Sequence, residues 1–166
     1  MAPSVLGIIA RMGPRSRISH PSDRFKGGQS IFAVVSGRDE GGRICLSHKE
    51  LLGTWEENAA GFAPGETVAG TIRSVEDYGD FVELTPNLAG LAEPCPTLRP
   101  GDAASVYIKS LIPEKMKIKL IIVDAFEAEN APFPLCYYVT EGHIDRWQYS
   151  PECCRKNIFT DFSESQ

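Results

Sequence analysis

The chain lacks an apolar run long enough to cross a membrane or to form the core of a signal peptide. Its longest early run, Val5 to Ala10, is cut by Arg11. No membrane association and a cytoplasmic location are therefore expected. It also lacks a phosphate-cradling glycine loop, a paired acid and base, and a nucleophile with its base, so it is not expected to be an enzyme. Cysteine is sparse and unpatterned: Cys45, Cys95, Cys136, Cys153 and Cys154 are odd in number and share no compact spacing. In a reducing compartment these read as free thiols. His143 with Cys136, Cys153 and Cys154 matches no common zinc spacing, and adjacent cysteines rarely both ligate, so no metal or other cofactor is expected. An excess of positive charge is missing too. The net charge is −5 over 166 residues. Residues 1–60 hold eight Lys/Arg against six Asp/Glu, residues 61–124 six against nine, and residues 125–166 three against seven. A polyanion would have to be met by a local surface, because the overall field repels it.

What the chain has is a series of short alternating runs. Val68 and Ile72 share one face of Thr67–Val75, with Thr71 and Arg73 on the other. Phe81–Leu84, Val106–Lys109 and Lys117–Leu120 alternate in the same way. Asp77-Tyr78-Gly79, Gly90, Pro94, Pro96, Pro100-Gly101 and Pro113 punctuate them. Several short strands within about 60 residues predict a small β-barrel over residues 65–124. Upstream, Ser47-His48-Lys49-Glu50 has the form of a capping box. Leu51, Leu52, Trp55, Ala59 and Phe62 follow at helical spacing until Gly61 and Pro64 end the run. A linker helix over 47–64 is expected, with Ser47 as its cap rather than a nucleophile and Trp55 packing between the two halves.

An internal repeat precedes the barrel. Phe25-Lys26-Gly27-Gly28-Gln29, an apolar run to Val35 and Arg43-Ile44-Cys45-Leu46 parallel Leu98-Arg99-Pro100-Gly101-Asp102, the run to Ile108 and Lys117-Ile118-Lys119-Leu120. Leu6-Gly7-Ile8-Ile9 parallels Ala89-Gly90-Leu91-Ala92. Residues 1–46 thus read as strands three to five of an earlier copy, whose first two strands would lie before Met1. Residues 125–166 form a C-terminal extension. Leu135–Thr140, Glu141-Gly142 and His143–Tyr149 read as strand, turn and strand, and the polar remainder as a frayed end.

Gly65-x-x-Val68-x-Gly70-x-Ile72, Tyr78-Gly79-x-Phe81-Val82, Gly90-Leu91 and Gly101-Asp102 resemble the S1 RNA-binding domain. The joint from Leu46 to Trp55 resembles the link between consecutive domains in bacterial ribosomal protein S1-like proteins. The resemblance covers about 60 residues fully and about 40 in part. It implies an all-β fold: a five-stranded OB-fold barrel, with a partial S1-like half, a linker helix and a C-terminal hairpin. It further implies single-stranded RNA as ligand, messenger or ribosomal, and the small ribosomal subunit as a partner. Two features depart from the family. Its histidine after the Gly-Leu strand is Glu93 here (Ala10 in the partial copy), and its Asp-x-x-x-x-Arg feature becomes Ile112 and Lys117.

A single-strand binder needs aromatic faces for bases and cations for the backbone. Alternation turns Arg73, Phe81, Tyr107, Lys109, Lys117 and Lys119 outward, and the resemblance adds Tyr78 and, in the first copy, Arg43. Each has a plainer reading. Tyr78 and Phe81 could cover the barrel mouth, and the lysines could line a solvated face. The loop cations Arg11, Arg15, Arg17 and Arg24 could clamp phosphate or merely be hydrated. The acidic run Glu76, Asp77, Asp80 and Glu83 favours an alternative in which the barrel docks a ribosomal or regulatory protein without strong RNA affinity. The broken first copy leaves strand edges open. The hairpin 135–149 is expected to pack there, with Tyr137 and Trp147 covering its core.

Overall fold

Alternation of apolar residues builds the barrel. β3 (Thr67–Glu76), β4 (Gly79–Thr85), β5 (Leu88–Ala92), β6 (Ala103–Ile112) and β7 (Lys117–Phe126) close in the order β3-β4-β5-β7-β6. The neighbours are antiparallel except β5 and β7, whose parallel seam is only two partner pairs long, Leu91 with Lys119 and Ala92 with Leu120. Ile72, Val82, Val106, Ile108, Ile118 and Leu120 point inward and are almost fully buried, with Met116 among them. This closed barrel is the OB fold expected over residues 65–124. The computed structural model describes residues 21–127 and 135–163. Leu6–Ile9 and Arg11, Arg15 and Arg17 lie outside the described residues.

Two glycines of the sequence motif are explained by close approach. A Cβ on Gly70 would run into the Val82 side chain, and one on Gly90 would lie 2.5 Å from Leu120 Cδ1 and 3.1 Å from the Ile118 carbonyl. Strands β4 and β7 can press this near only where a side chain is missing.

The partial copy supplies β1 (Val34–Arg38) and β2 (Ile44–Ser47), an antiparallel pair with a bulge between Val35 and Gly37. They stand where strands four and five of the earlier copy are expected. The linker differs from its sequence reading. Lys49–Leu52 is a 3₁₀ turn, Gly53 interrupts it at φ +91°, and α1 spans only Trp55–Ala59. The capping box is Thr54 with Glu57: Thr54 Oγ1 accepts from the Glu57 N–H, and Glu57 Oε1 accepts from the Thr54 N–H. Ser47 caps nothing and donates its hydroxyl proton to the Glu50 carboxylate. Glycine is required at the break. A Cβ at position 53 would sit 2.6 Å from the Tyr138 ring, in a backbone conformation that favours glycine. Trp55 is buried in the core, as its place on the apolar stripe implies.

Two buried asparagines fasten this linker to the barrel. Asn87, in the β4–β5 turn, donates from Nδ2 to the carbonyls of Lys49 and Gly53. Asn58 donates to the carbonyls of Leu52 and Thr54 and accepts from Thr85 Oγ1. The carbonyls of Leu52 and Gly53, at the break in the linker, are thereby met by side chains, while that of Thr54 also accepts from the Asn58 backbone N–H.

The C-terminal extension also differs in detail. Its paired strands are β8 (Arg146–Gln148) and β9 (Phe159–Asp161), so residues 135–145 form no strand and the polar end does not fray at 159–161. Local pattern favours strand at 135–140, but long-range partners hold it otherwise. The Tyr138 N–H donates to the Leu51 carbonyl, and the Tyr137 hydroxyl accepts from the Phe32 N–H. Tyr137 does meet Phe32 of the N-terminal half, with ring centroids 5.1 Å apart, but the extension does not fill the open strand edges as expected: among the described residues no backbone hydrogen bond joins 135–149 to 21–46. Trp147 goes elsewhere, packing on the barrel core, and the Tyr149 hydroxyl donates to the Asn87 carbonyl.

Replacing Gly90 with Val forces a branched side chain against Leu120 and the Ile118 backbone. Overpacking of this kind costs about 1–3 kcal/mol. Urea unfolding should show that loss; an unchanged midpoint would refute the close-approach account.

Candidate nucleic-acid interface

Register fixes which outward residues become neighbours. Phe81 pairs with Ser74 on β3 and with Leu91 on β5; Leu91 pairs with Lys119 on β7, and Lys119 with Ser110 on β6. Two residue pairs further along β7, Ile121 faces Tyr107. With strands about 4.8 Å apart, Phe81 and Lys119 are separated by about 10 Å, with Leu91 between them. Tyr78, in the β3–β4 turn, meets Phe81 edge to face at 6.1 Å. Tyr78 is 66% exposed and Tyr107 38%, while Phe81 is half-buried. Lys109, Lys117 and Lys119 are all exposed. The outer wall of β4, β5, β7 and β6 thus carries the rings of Tyr78, Phe81 and Tyr107, the side chains of Leu91 and Ile121 and the ammonium groups of Lys109, Lys117 and Lys119, with Val123 and Phe126 further along β7.

Arg73 is outward by alternation but is not available to a ligand. Its guanidinium lies 2.6 Å from Glu83, and the side chain is 12% exposed. Arg24 reaches the same carboxylate from the N-terminal half, with Nη1 2.7 Å from Oε1 and Nη2 3.2 Å from Oε2. Arg24 is thereby removed from the set of loop cations. Burial lowers its pKa, and the charge and hydrogen bonds of Glu83 oppose that shift. Arg43 belongs to the β1–β2 hairpin rather than the barrel wall. It pairs with Asp39 at 2.8 Å on an open turn.

The acidic run is less repulsive than it reads. Glu76 and Asp77 are exposed, but Glu83 is buried between two guanidinium groups and Asp80 is buried and accepts from the Cys95 N–H. Half of that negative charge does not face solvent. Glu93, in the place of the family's histidine, is exposed just past the end of β5, the strand that carries Leu91.

Next to the Arg24–Glu83 pair, an aromatic cluster joins three segments. His48 packs edge to face on Phe25 at 5.0 Å and on Tyr137 at 5.5 Å, and His48 Nε2 bonds the Tyr137 hydroxyl at 2.9 Å. Burial, with the charge of Arg24 second, depresses the His48 pKa to about 4. Burial also raises the Tyr137 pKa. Arg24, His48 and Glu83 had no readable signal as structural residues, since each resembles an ordinary surface side chain until the fold places it. Asn87, in a Pro-Asn turn, had the weak signal of its turn alone.

No protein-family model matches the chain. The small ribosomal subunit protein bS1 of Leuconostoc lactis is 32% identical over 117 residues, which covers 63% of this chain and 27% of that protein. The bS1 protein of Chlamydia muridarum is 31% identical over 137 residues, covering 74% of this chain and 24% of that protein. The chain belongs to the S1-like family. It spans about a quarter of the length of these two S1 relatives. Among solved structures, a multidomain protein with nucleic acid binding domains from Streptococcus pneumoniae superposes with a TM-score of 0.31 at 15% identity, over 64% of this S1-like chain and 39% of that one. Among the described residues, no helix is long and apolar enough to cross a membrane.

The His48 pKa makes stability depend on pH. An unfolded histidine titrates near 6.5, above the folded value, so on acidification the unfolded chain takes up the proton first. The contribution is complete above about pH 6.5 and is lost as the pH falls towards 4. At pH 5 the loss is about 2 kcal/mol relative to pH 7. Urea titrations at the two pH values should show this difference in the native chain and not in His48→Gln. An equal loss in both would remove His48 as its source.

Proposed function

We propose that this chain binds single-stranded RNA across the outer wall of β4, β5, β7 and β6. The observation that carries the reading is the placement of Phe81, with Tyr78 against it, in one row with Leu91 and Lys119. A base stacks on the aromatic face, and the ammonium groups of Lys119, Lys117 and Lys109 meet the backbone. Tyr107 offers a second platform at the far side of the wall. Arg73 plays no direct part, because Glu83 holds it. The relatives' name supports a place in translation, with messenger or ribosomal RNA as ligand and the small ribosomal subunit as the surrounding partner.

A second reading has its own observation. Ile121, Val123 and Phe126 are exposed along β7 beside Tyr107. An apolar stripe of this kind suits a protein partner better than a phosphate backbone. In that case the barrel docks a ribosomal or regulatory protein.

Titration of labelled single-stranded RNA at two salt concentrations separates the two. Phe81→Ala should cost about 1–3 kcal/mol of RNA binding, the range for one base–aromatic stack. The dependence of log affinity on log salt should be shallow, corresponding to about 2–4 phosphate contacts. Full affinity in a folded Phe81→Ala variant overturns the stacking role. Absence of binding at low salt overturns the RNA reading and favours the docking one.

A further inference from the structure

Rings and ammonium groups do not tell one base from another, since every base has a π-face and every nucleotide a phosphate. A carboxylate on the same wall can. Glu93 follows directly on β5, where Leu91 points outward and Ala92 is buried. Pro94 comes next, and a residue before proline is held extended. The alternation therefore runs on and turns Glu93 outward, on the face of Leu91.

Pairing places it against the aromatic rings. Leu91 pairs with Phe81 and Ala92 with Asp80, so Glu93 falls beside Gly79 in the next outward row. Two residues along a strand and one strand across separate the Glu93 and Phe81 backbones by about 8 Å. β4 and β5 press together here, for a Cβ on Gly79 would lie 2.6 Å from the Ala92 carbonyl oxygen. Gly79 brings no side chain of its own to that row. The Glu93 carboxylate is exposed and uncommitted. Glu83 holds two guanidinium groups, but among the described residues no ion pair takes Glu93. Glu76 is also exposed and flanks Gly79 from the other side. It stands on β3, across from the strands that carry Lys119, Lys117 and Lys109.

We propose that Glu93 makes this wall selective for guanine, an inference that rests on the RNA reading above. A carboxylate only accepts, and its two oxygens lie side by side. Guanine alone of the four bases presents two adjacent donors on its Watson–Crick edge, N1–H and the N2 amino group. With guanine stacked on Phe81, each oxygen accepts one of them. Adenine and cytosine set an acceptor nitrogen beside their amino group, and uracil sets a carbonyl on either side of its N–H, so each turns a lone pair towards the carboxylate.

The test uses the full chain and labelled oligouridines with one central guanosine, inosine, adenosine, cytidine or uridine, followed by fluorescence anisotropy at low salt. The guanosine strand should bind about tenfold more tightly than the all-uridine strand, the scale of one bidentate base contact. Inosine, which keeps N1–H and lacks the amino group, should fall between them. Glu93→Gln should erase the preference while binding the all-uridine strand at least as well as the native chain, which also reports that the variant is folded. Glu76→Gln should keep the preference. Equal binding of all five strands by the native chain overturns the guanine assignment and leaves the RNA reading standing. A preference kept in Glu93→Gln, or lost in Glu76→Gln, overturns the role of Glu93. Absence of binding to every strand overturns the RNA reading and this inference with it.

Discussion

The carboxylate of Glu83 is the point on which the halves of this molecule are joined. It projects from the outer face of β4, where a lone charge would be hydrated, yet it is fully buried because Arg24 closes over it and Arg73 braces it from β3. A buried ion pair gains little over apolar packing when intact, but removing one member leaves an uncompensated charge in a poor solvent, at a cost of about 3–5 kcal/mol. The arrangement therefore acts as a constraint more than as a reservoir of stability. The N-terminal half can sit on the barrel in the one orientation that brings Arg24 onto Glu83. That same orientation sets His48 beside Phe25 and brings Tyr137 to close the cluster.

The constraint also shapes the outer wall. Because Arg73 and Glu83 neutralise each other beneath Arg24, the wall next to β3 is covered. What remains open is the stretch from Phe81 to Tyr107. Charge that looks hostile to a polyanion along the sequence is thus partly cancelled within the protein, and the exposed part of the wall is poorer in carboxylates than its composition suggests.

Much of the barrel was legible because a half-buried strand imposes a period of two. Val68, Ile72, Val82, Val106, Ile108, Ile118 and Leu120 fall on the inner face by counting alone. Gly70 and Gly90 were legible as motif positions, though not the close strand approach that requires them. The linker was read correctly as to its apolar stripe and wrongly as to its cap, because Ser47-x-x-Glu50 and Thr54-x-x-Glu57 are both capping boxes on paper. In the structure the helix starts after Gly53 and Thr54 caps it. Residues 135–140 failed because a strand-like composition was overruled by hydrogen bonds to Phe32 and Leu51, about a hundred residues away in sequence. Arg73 was placed on the correct face, but alternation cannot tell a free guanidinium from one already engaged.

The parallel seam between β5 and β7 has a consequence for how the barrel comes together. The meander β3-β4-β5 and the hairpin β6-β7 each form from neighbouring chain, with short loops to close. Joining β5 to β7 brings together residues that the whole of β6 separates, and such non-local pairing is slow to be rewarded. With only two residue pairs, the seam is the most lightly tied join of the barrel. It runs directly between Leu91 and Lys119. Anything laid from Phe81 to Lys119 crosses it and works as a clasp on the closed barrel, so occupancy of the wall and closure of the barrel reinforce each other by mass action.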